Sequence, residues 1–210
     1  LFYASLTCLL CADYAVAKAL IDELVALANE KGAFWKAGGI AFQGSLLALT
    51  GQAADAVHTI TSGITAWRST GATVFMPWWL SCLARAYAEL GQFDDALRCI
   101  GEAMSAEATT KERWCEAEVY RMAGEIALLS SELHAAKAEG YFQRALAVAR
   151  QQQAKSWELR TSMSLARLWR DQGKPQQAPE LLAPVYGWFT EGFDTLDLKE
   201  AKALLGELHA

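Results

Sequence analysis

The residue types that most often carry chemistry are present in this sequence, but their spacing does not assemble a reactive site. Cys8 and Cys11 have the C-x-x-C spacing. A zinc site would also need a second cysteine pair or nearby histidines, and a redox motif would need a preceding strand. Burial in a helical core is the simpler interpretation of this pair. The histidines, His58, His134 and His209, are far apart in the sequence and predict neither a triad nor a metal cluster.

Paired glycines and carboxylates also have structural explanations. Gly38-Gly39 precedes a helical pattern but belongs to no phosphate-binding glycine motif. Asp94-Asp95 stands at the start of a predicted helix, where negative charge interacts favourably with the helix dipole. The sequence therefore predicts a protein that is not an enzyme, with no catalytic residues, no cofactor and no metal ligands.

Composition narrows the class of protein and of partner. The chain has 210 residues, of which 53% are hydrophobic, enough for a packed core, and it contains only four prolines and no alternating strand pattern. An all-α fold is expected. A net charge of -5 with mixed signs argues against nucleic acid as a partner, and no apolar run reaches the roughly 18 residues of a membrane span. Five cysteines, an odd number, favour reduced thiols and a cytoplasmic location.

The elements that would position any ligand are helical hairpins. Between Pro77 and Ala103, apolar and small residues recur at three- and four-residue steps, stop at Gly91 and then resume. This pattern predicts two amphipathic helices joined by a tight turn. Similar turn sequences occur at 51–56 and 173–178. The small, aromatic and large positions resemble those of the tetratricopeptide repeat (TPR), although the steps are about 40 residues rather than the usual 34 or so.

We therefore expect an α-α superhelix, that is, a TPR-like solenoid of helical hairpins forming a single repeat domain over residues 1–210. A terminal helix at about 194–208 would cover the apolar face of the last hairpin. Because Leu1 already lies within a helical pattern, the chain is expected to be a fragment of a larger protein. The predicted hairpins span about 1–33, 37–71, 77–108, 117–153 and 159–189.

A tryptophan recurs near the start of each predicted first helix, and this set favours a core that interlocks successive hairpins. Trp78 is the exception, because its phase in the helix predicts that it points towards the inner face. The recurring residues are Trp35, Trp78 with Trp79, Trp114 and Trp157.

The predicted binding surface is a concave groove lined by the first helix of each hairpin. Its arginines could bind a carboxylate, a phosphate or an acidic peptide through bidentate hydrogen bonds. Alternatively, Glu118 and Glu125 pair with Arg121 and its neighbours across helices as a solvated face. The sequence leaves these two interpretations open. The candidate groove residues are Trp78, Ser81, Arg85, Glu118, Arg121, Glu125, Arg160, Met163, Arg167 and Arg170.

Three longer stretches carry a family resemblance: AWRSTGATVFMPWWLSCLARAYAELGQFDDALRCIGEA, AEVYRMAGEIALL and SWELRTSMSLARLWRDQGKPQQAPELLAPVYGWFTEGFDTLDLKEAKALLGEL. They resemble the C-terminal repeat region of bacterial signal-transduction ATPases linked to adenylate or guanylate cyclase domains, from about Phe34 onwards. In that family the helical array follows a cyclase or DNA-binding domain and a P-loop ATPase, and is thought to sense or bind regulators. Because this chain has no cyclase or P-loop motif, the resemblance implies a cytoplasmic regulatory module and no catalytic residue.

The functional prediction is a non-catalytic interaction or regulatory sensor module that binds a peptide or protein in its groove. The alternative is a sensor that binds a small-molecule inducer and controls an upstream ATPase or cyclase. A homo-oligomer is a third expectation, because the N-terminal face is predicted to expose the apolar residues Phe2, Leu6 and Leu9.

Overall fold

The computed structural model describes residues 1–130, 134–174 and 176–208, except for the side chains of residues 29–31. In this part of the chain, α-helices account for nearly all of the regular structure. The chain forms two compact units, Leu1–Cys115 and Glu116–Ala210. His209 and residues 131–133, which fall within the predicted hairpin at 117–153, lie outside the described residues.

The first unit contains six helices that pack as consecutive antiparallel pairs. Each pair is joined by a turn of a few residues, so neighbours in sequence are also neighbours in space. The helices are α1 (Phe2–Leu10), α2 (Tyr14–Lys31), α3 (Ala33–Leu49), α4 (Ala53–Ser69), α5 (Met76–Glu89) and α6 (Phe93–Thr110).

Small residues set how closely the helices of a pair approach. A Cβ added to Gly63 of α4 would lie 2.6 Å from the backbone nitrogen of Ala41 on α3, and one added to Gly44 of α3 would lie 2.6 Å from the backbone nitrogen of Ile60 on α4. The two backbones are therefore in direct contact, as close-packed helices with glycine at the crossing point can be.

Glycines end the first helices of several pairs. Gly51, Gly91 and Gly173 have φ values of 79°, 73° and 72°, in the left-handed region that glycine occupies without a steric penalty. They lie where the sequence predicts the inter-helix turns.

The core of the first unit is an aromatic cluster. The fully buried rings of Trp67 and Trp79 meet edge to face, with centroids 5.0 Å apart. Phe42 approaches Trp79 at 5.6 Å, and Phe2 packs 4.7 Å from Phe42. Edge-to-face pairs of this kind add to the stability that burial alone provides.

A carboxylate joins two of the loops of this unit. Phe75, which precedes α5, has a left-handed backbone with φ 68°. Its amide donates to both oxygens of Glu112, at 2.8 and 2.9 Å, and the indole nitrogen of Trp114 donates to Glu112 at 2.7 Å. These charge-assisted hydrogen bonds stabilise the strained residue and tie the entry to α5 to the loop that follows α6.

The described residues of the second unit form five helices, and the last of these packs against both members of the preceding pair. Leu198, Ala201 and Leu204 of the last helix are buried in a common core with Leu159 and Leu182. The helices are α7 (Glu116–Ser130), α8 (Ala135–Gln151), α9 (Lys155–Asp171), α10 (Gln177–Tyr186) and α11 (Leu196–Leu208).

Burial differs from two of the sequence-based expectations. Cys11 is exposed and Cys8 is half-buried, so the prediction that this pair is buried was wrong: both residues lie in the last turn and cap of α1, at the surface. Phe2, Leu6 and Leu9 are buried rather than exposed. They form the side of α1 that faces α2 and α3, and the prediction that they are exposed was also wrong.

The recurring tryptophans have different environments. Trp79 and Trp157 are buried, Trp114 is half-buried, and Trp35 is 42% exposed. Trp78 is buried and packs on Trp114, with ring centroids 6.0 Å apart. The predicted interlocking role holds for Trp79, whose ring meets Phe42 and Trp67 of the preceding hairpin. Trp35, in the first turn of α3, meets Phe2 of α1 edge to face at 5.7 Å, although it is exposed.

Candidate functional site

Two of the three candidate binding residues on α5 are buried inside the first unit. Trp78 and Ser81 are each 2% exposed, and the Ser81 hydroxyl donates to the carbonyl of Trp78 at 2.8 Å. Arg85 is partly exposed, and its Nε donates to Glu89 at 3.0 Å. Of the three, Arg85 presents its polar group to solvent.

The first helices of this unit approach closely, which explains the burial. The inner positions of α3 carry the small residues Ala41, Ser45 and Ala48, and all three are fully buried. Small side chains let α5 pack directly on α3, where larger ones would hold the helices apart and open a groove. Binding by Trp78, Ser81 and Arg85 stays a prediction.

The candidate residues of α7 form one ion-paired cluster in the second unit. Arg121 donates to the two carboxylate oxygens of Glu118 at 2.6 and 2.8 Å and to Glu125 at 3.2 Å. The hydroxyl of Ser164, on α9, donates to Glu125 at 2.6 Å. Arg121 spans two carboxylates on its own helix, and Ser164 connects the cluster to the neighbouring helix.

The charge of Arg121 is maintained despite its burial, since its side chain is only 14% exposed. Burial by itself would lower the pKa of Arg121. The charge and hydrogen bonds of Glu118, together with the charge of Glu125, outweigh this effect and raise the pKa above the ordinary guanidinium value. Removing one partner would leave a poorly solvated charge, so this cluster is a structural element of the unit as well as a polar surface.

The candidate arginines of α9 pair with carboxylates of α11. Arg160 donates to Asp197 at 2.7 Å, and its guanidinium lies 5.0 Å from the centre of the Trp157 ring. Burial raises the pKa of Asp197, and the nearby Arg160 offsets this only in part. The pair therefore lies in a partly desolvated position, where an ion pair is stronger than at the surface.

The other two pairs between α9 and α11 are solvated. Arg167 donates to Glu200 at 3.1 Å, and Arg170 donates to Glu207 at 2.8 Å and to Asp171 at 3.0 Å. The side chains of Arg167 and Arg170 remain about two-fifths exposed. They are accessible to a partner without unfolding the helices.

We name the surface that these ion pairs form the charged face, built by α7, α9 and α11. Its ion pairs join four guanidinium groups to six carboxylates. This geometry favours paired charges over an open cationic groove, because every candidate arginine of the second unit already has a carboxylate partner. Arg167 and Arg170 are the solvated members, whereas Arg121 and Arg160 are each only 14% exposed. Its members are Glu118, Arg121, Glu125, Arg160, Arg167, Arg170, Asp171, Asp197, Glu200 and Glu207.

One candidate of the second unit belongs to the core instead. Met163 is 3% exposed and packs in the cluster that also contains Leu159 and Leu182. Its position on the helix turns it towards α10. Sequence reasoning also missed the partners on α11, although a signal was present: Asp197, Glu200 and Glu207 are spaced so that they share one face of a helix.

Other classes of site find no support in the described part of the chain. Among those residues, no set of three or more His, Cys, Asp or Glu side chains is arranged to hold a metal ion. The described helices also include none with both the length and the apolar composition that crossing a membrane requires.

The fold defines a class: an all-α array of TPR-like helical hairpins, as predicted. Residues 78–106 match the family model described as tetratricopeptide repeat. Sixteen chains of solved structures match this chain. One is the crystal structure of nearly identical TPR-like repeats from a Podosopora anserina protein assigned as a kinesin light chain. It shares 15% sequence identity with a TM-score of 0.57 over 99% of this chain and 94% of that one. Among curated proteins, none matches the sequence.

Proposed function

We propose that this chain is a non-catalytic protein-interaction module, and that the charged face of its second unit contacts a peptide or protein partner. The observation that supports this most directly is the row of guanidinium and carboxylate groups along α9 and α11, of which Arg167 and Arg170 remain accessible. Arrays of helical hairpins use extended surfaces of this kind to bind partners.

The charges of the face indicate what kind of partner it suits. Since carboxylates outnumber guanidinium groups there, a purely acidic ligand would be repelled as well as attracted. A segment with both signs of charge could pair its carboxylates with the arginines of the face and its basic groups with the carboxylates of the face. The existing ion pairs would then be replaced by new ones at little electrostatic cost. Together with the resemblance to cyclase-linked ATPases, this supports a role as a regulatory module in cytoplasmic signalling.

The test is charge reversal at the two accessible arginines. Peptides selected from a phage-displayed random library against the unmodified chain should bind an Arg167→Glu/Arg170→Glu variant at least about tenfold more weakly, which corresponds to about 1.4 kcal/mol. The matched control is Arg98→Glu/Arg144→Glu. These arginines lie on the second helices α6 and α8 and outside the charged face, so the control should bind as tightly as the unmodified chain.

Two results would contradict the proposal. Equal loss of binding in the two double variants would show that only the overall charge matters. Failure to select any peptide, combined with a metabolite that raises the thermal midpoint of the chain, would instead favour the inducer-sensor alternative.

A further inference from the structure

Two free thiols lie one helical turn apart at the end of α1. Cys8 is half-buried and Cys11 is exposed. The amide of Cys11 donates to the carbonyl of Thr7 at 2.9 Å, so helical hydrogen bonding extends as far as Cys11. Residues three apart on a helix are neighbours on one side of it. We call this pair of side chains, Cys8 and Cys11, the dithiol.

The access of solvent to the dithiol is a property of the hairpin turn and not of the place of α1 in the chain. The amide of Asp13 donates to the carbonyl of Cys8 at 2.9 Å. Three other turns repeat this hydrogen bond, from Gln52 to Leu47, from Gln92 to Tyr87 and from Lys174 to Trp169. In each of them the residue equivalent to Cys8 is half-buried and the residue equivalent to Cys11 is exposed. The equivalents of Cys11 are Thr50, Leu90 and Gln172.

The geometry of the helix end separates the two sulfurs too widely for an unstrained disulfide. Helical residues three apart have Cβ atoms about 5 to 6 Å from each other, whereas a disulfide requires about 3.5 to 4.5 Å. The hydrogen bonds from Cys11 to Thr7 and from Asp13 to Cys8 hold the last turn in place. Closing a disulfide would distort this turn, so the dithiol is better suited to a ligand that lies between the sulfurs.

The charges around the dithiol also disfavour redox chemistry. Burial raises the pKa of the Cys8 thiol, and the negative charges of Asp13 and of the Cys11 thiolate raise this pKa further. Redox-active cysteines instead have a lowered pKa, from a basic neighbour or a helix N-terminus. The dithiol lies at the C-terminal end of α1, where the helix dipole is negative. These surroundings attract a cation, which would neutralise one of the two thiolate charges.

We propose that the dithiol binds one soft metal ion of the copper(I) class between Sγ of Cys8 and Sγ of Cys11. Thiolates select soft ions of this kind, and such ions accept two sulfur ligands in line. Two metal–sulfur bonds of about 2.3 Å on opposite sides of the ion place the sulfurs about 4.6 Å apart. This span suits side chains whose Cβ atoms are about 5 to 6 Å apart. Binding releases one proton from each thiol.

Other metals that bind thiolates need more ligands than this site offers. A structural zinc ion takes four ligands, and iron–sulfur clusters are held by four cysteines. Within the described chain, no third His, Cys, Asp or Glu side chain is arranged to complete a metal site. A two-coordinate ion is therefore the class that fits the dithiol.

The probe is copper(I) itself, added without oxygen to the reduced full chain as its complex with the chelator bathocuproine disulfonate. Loss of the visible absorbance of this complex should show that the chain withdraws one equivalent of copper(I). Cys8→Ser and Cys11→Ser should each bind copper(I) at least about tenfold more weakly, because a hydroxyl oxygen is a hard ligand. X-ray absorption at the copper edge should show two sulfur neighbours.

The matched control is Cys11→Ser/Leu90→Cys. It keeps five cysteines but moves the second thiol to the equivalent position of another hairpin turn, where Tyr87 stands in place of Cys8. This variant should bind copper(I) as weakly as Cys11→Ser. Circular dichroism should give the same thermal midpoint for all three variants, since each substituted side chain is partly or largely exposed.

Three outcomes would overturn the proposal. The first is an unmodified chain that withdraws no copper(I) from the chelator. The second is equal binding by the unmodified chain and the Cys11→Ser/Leu90→Cys variant, which would show that any accessible thiol suffices. The third is a mass by light scattering that doubles when copper(I) is added, which would assign the ion to two chains. None of these measurements involves Arg167 or Arg170, so they are independent of the proposed role of the charged face.

Discussion

Single small residues decide how closely the helices of this protein approach. Gly63 touches the backbone of Ala41, and Gly124 leaves room for the ring of Phe142. Gly101 lies on the exposed side of α6, where an added Cβ would meet nothing within 4 Å. A helical glycine therefore permits close packing where a second helix crosses it, and has no packing role where its side of the helix faces solvent.

Alanine substitution should separate the two kinds of glycine. Gly63→Ala should destabilise the chain by about 1 to 3 kcal/mol, because the new methyl group would lie 2.6 Å from the Ala41 nitrogen and force the helices apart. Gly101→Ala should stabilise it by about 0.5 to 1 kcal/mol through higher helix propensity. Urea denaturation of the two variants measures both effects. A stabilised Gly63→Ala variant would show that the α3–α4 contact is looser than the structure indicates.

At the scale of elements, charged side chains fasten helix ends to their neighbours. The buried carboxylate of Glu158, in the first turn of α9, accepts hydrogen bonds from Arg150 of α8 at 2.9 Å and from Lys155 at 2.7 Å. Burial by itself would raise the pKa of Glu158, but the hydrogen bonds from Lys155 and Arg150 lower it below the ordinary value of 4.5. The ionised form therefore stabilises the junction of α8 and α9.

This junction should make stability depend on pH in the acid range. A carboxyl whose pKa is lower in the folded state contributes stability above its ordinary pKa and loses it as pH falls through the folded value. Glu158→Gln should therefore reduce stability by about 1 to 3 kcal/mol at pH 7. The difference should shrink as pH falls below 4.5.

The measurement is urea denaturation of the variant and the parent across this pH range. Glu180→Gln, at an exposed position of α10, is the control and should follow the parent at every pH. A constant difference between Glu158→Gln and the parent would show that the carboxylate acts through packing and not through its charge.

At the scale of the whole molecule, the reactivity of the cysteine thiols shows whether the chain is folded, because the fold buries some of them. All five cysteines are free, and Cys82, Cys99 and Cys115 are buried. Burial raises the pKa of Cys99 to about 11, so about one molecule in a thousand carries this thiolate at pH 8. Cys11 is exposed at the end of α1 and has no such protection.

A disulfide reagent such as DTNB should therefore react in distinct phases at pH 8. In the native protein Cys11 should react first and Cys8 more slowly, because burial and Asp13 raise the pKa of Cys8. Cys82, Cys99 and Cys115 should react only after denaturation. A Cys11→Ser variant should lack the fast phase. Rapid reaction of all five thiols in the native protein would contradict the buried positions.

Much of the fold could be predicted from the sequence because helical hairpins are local structures. The spacing of Ala96, Ile100 and Ala103 after Gly91 predicts two packed helices without reference to the rest of the chain. The same spacing of small and large residues recurs at Ala17 and Ala56, and the all-α class with TPR-like hairpins is confirmed. The pattern also gave Glu118 and Glu125 as partners of Arg121 in one of the two interpretations that it left open, since these residues are one turn apart on α7.

What only the tertiary structure decided is which side chains face a neighbouring helix. Helix phase predicted that Trp78, Ser81 and Met163 line a groove, but close approach of the helices buries all three. The partners of Arg160, Arg167 and Arg170 lie on α11, more than thirty residues away in the sequence. Local spacing determines a helix and its apolar side, whereas the distance between helices depends on every residue at their contact, which no local pattern contains.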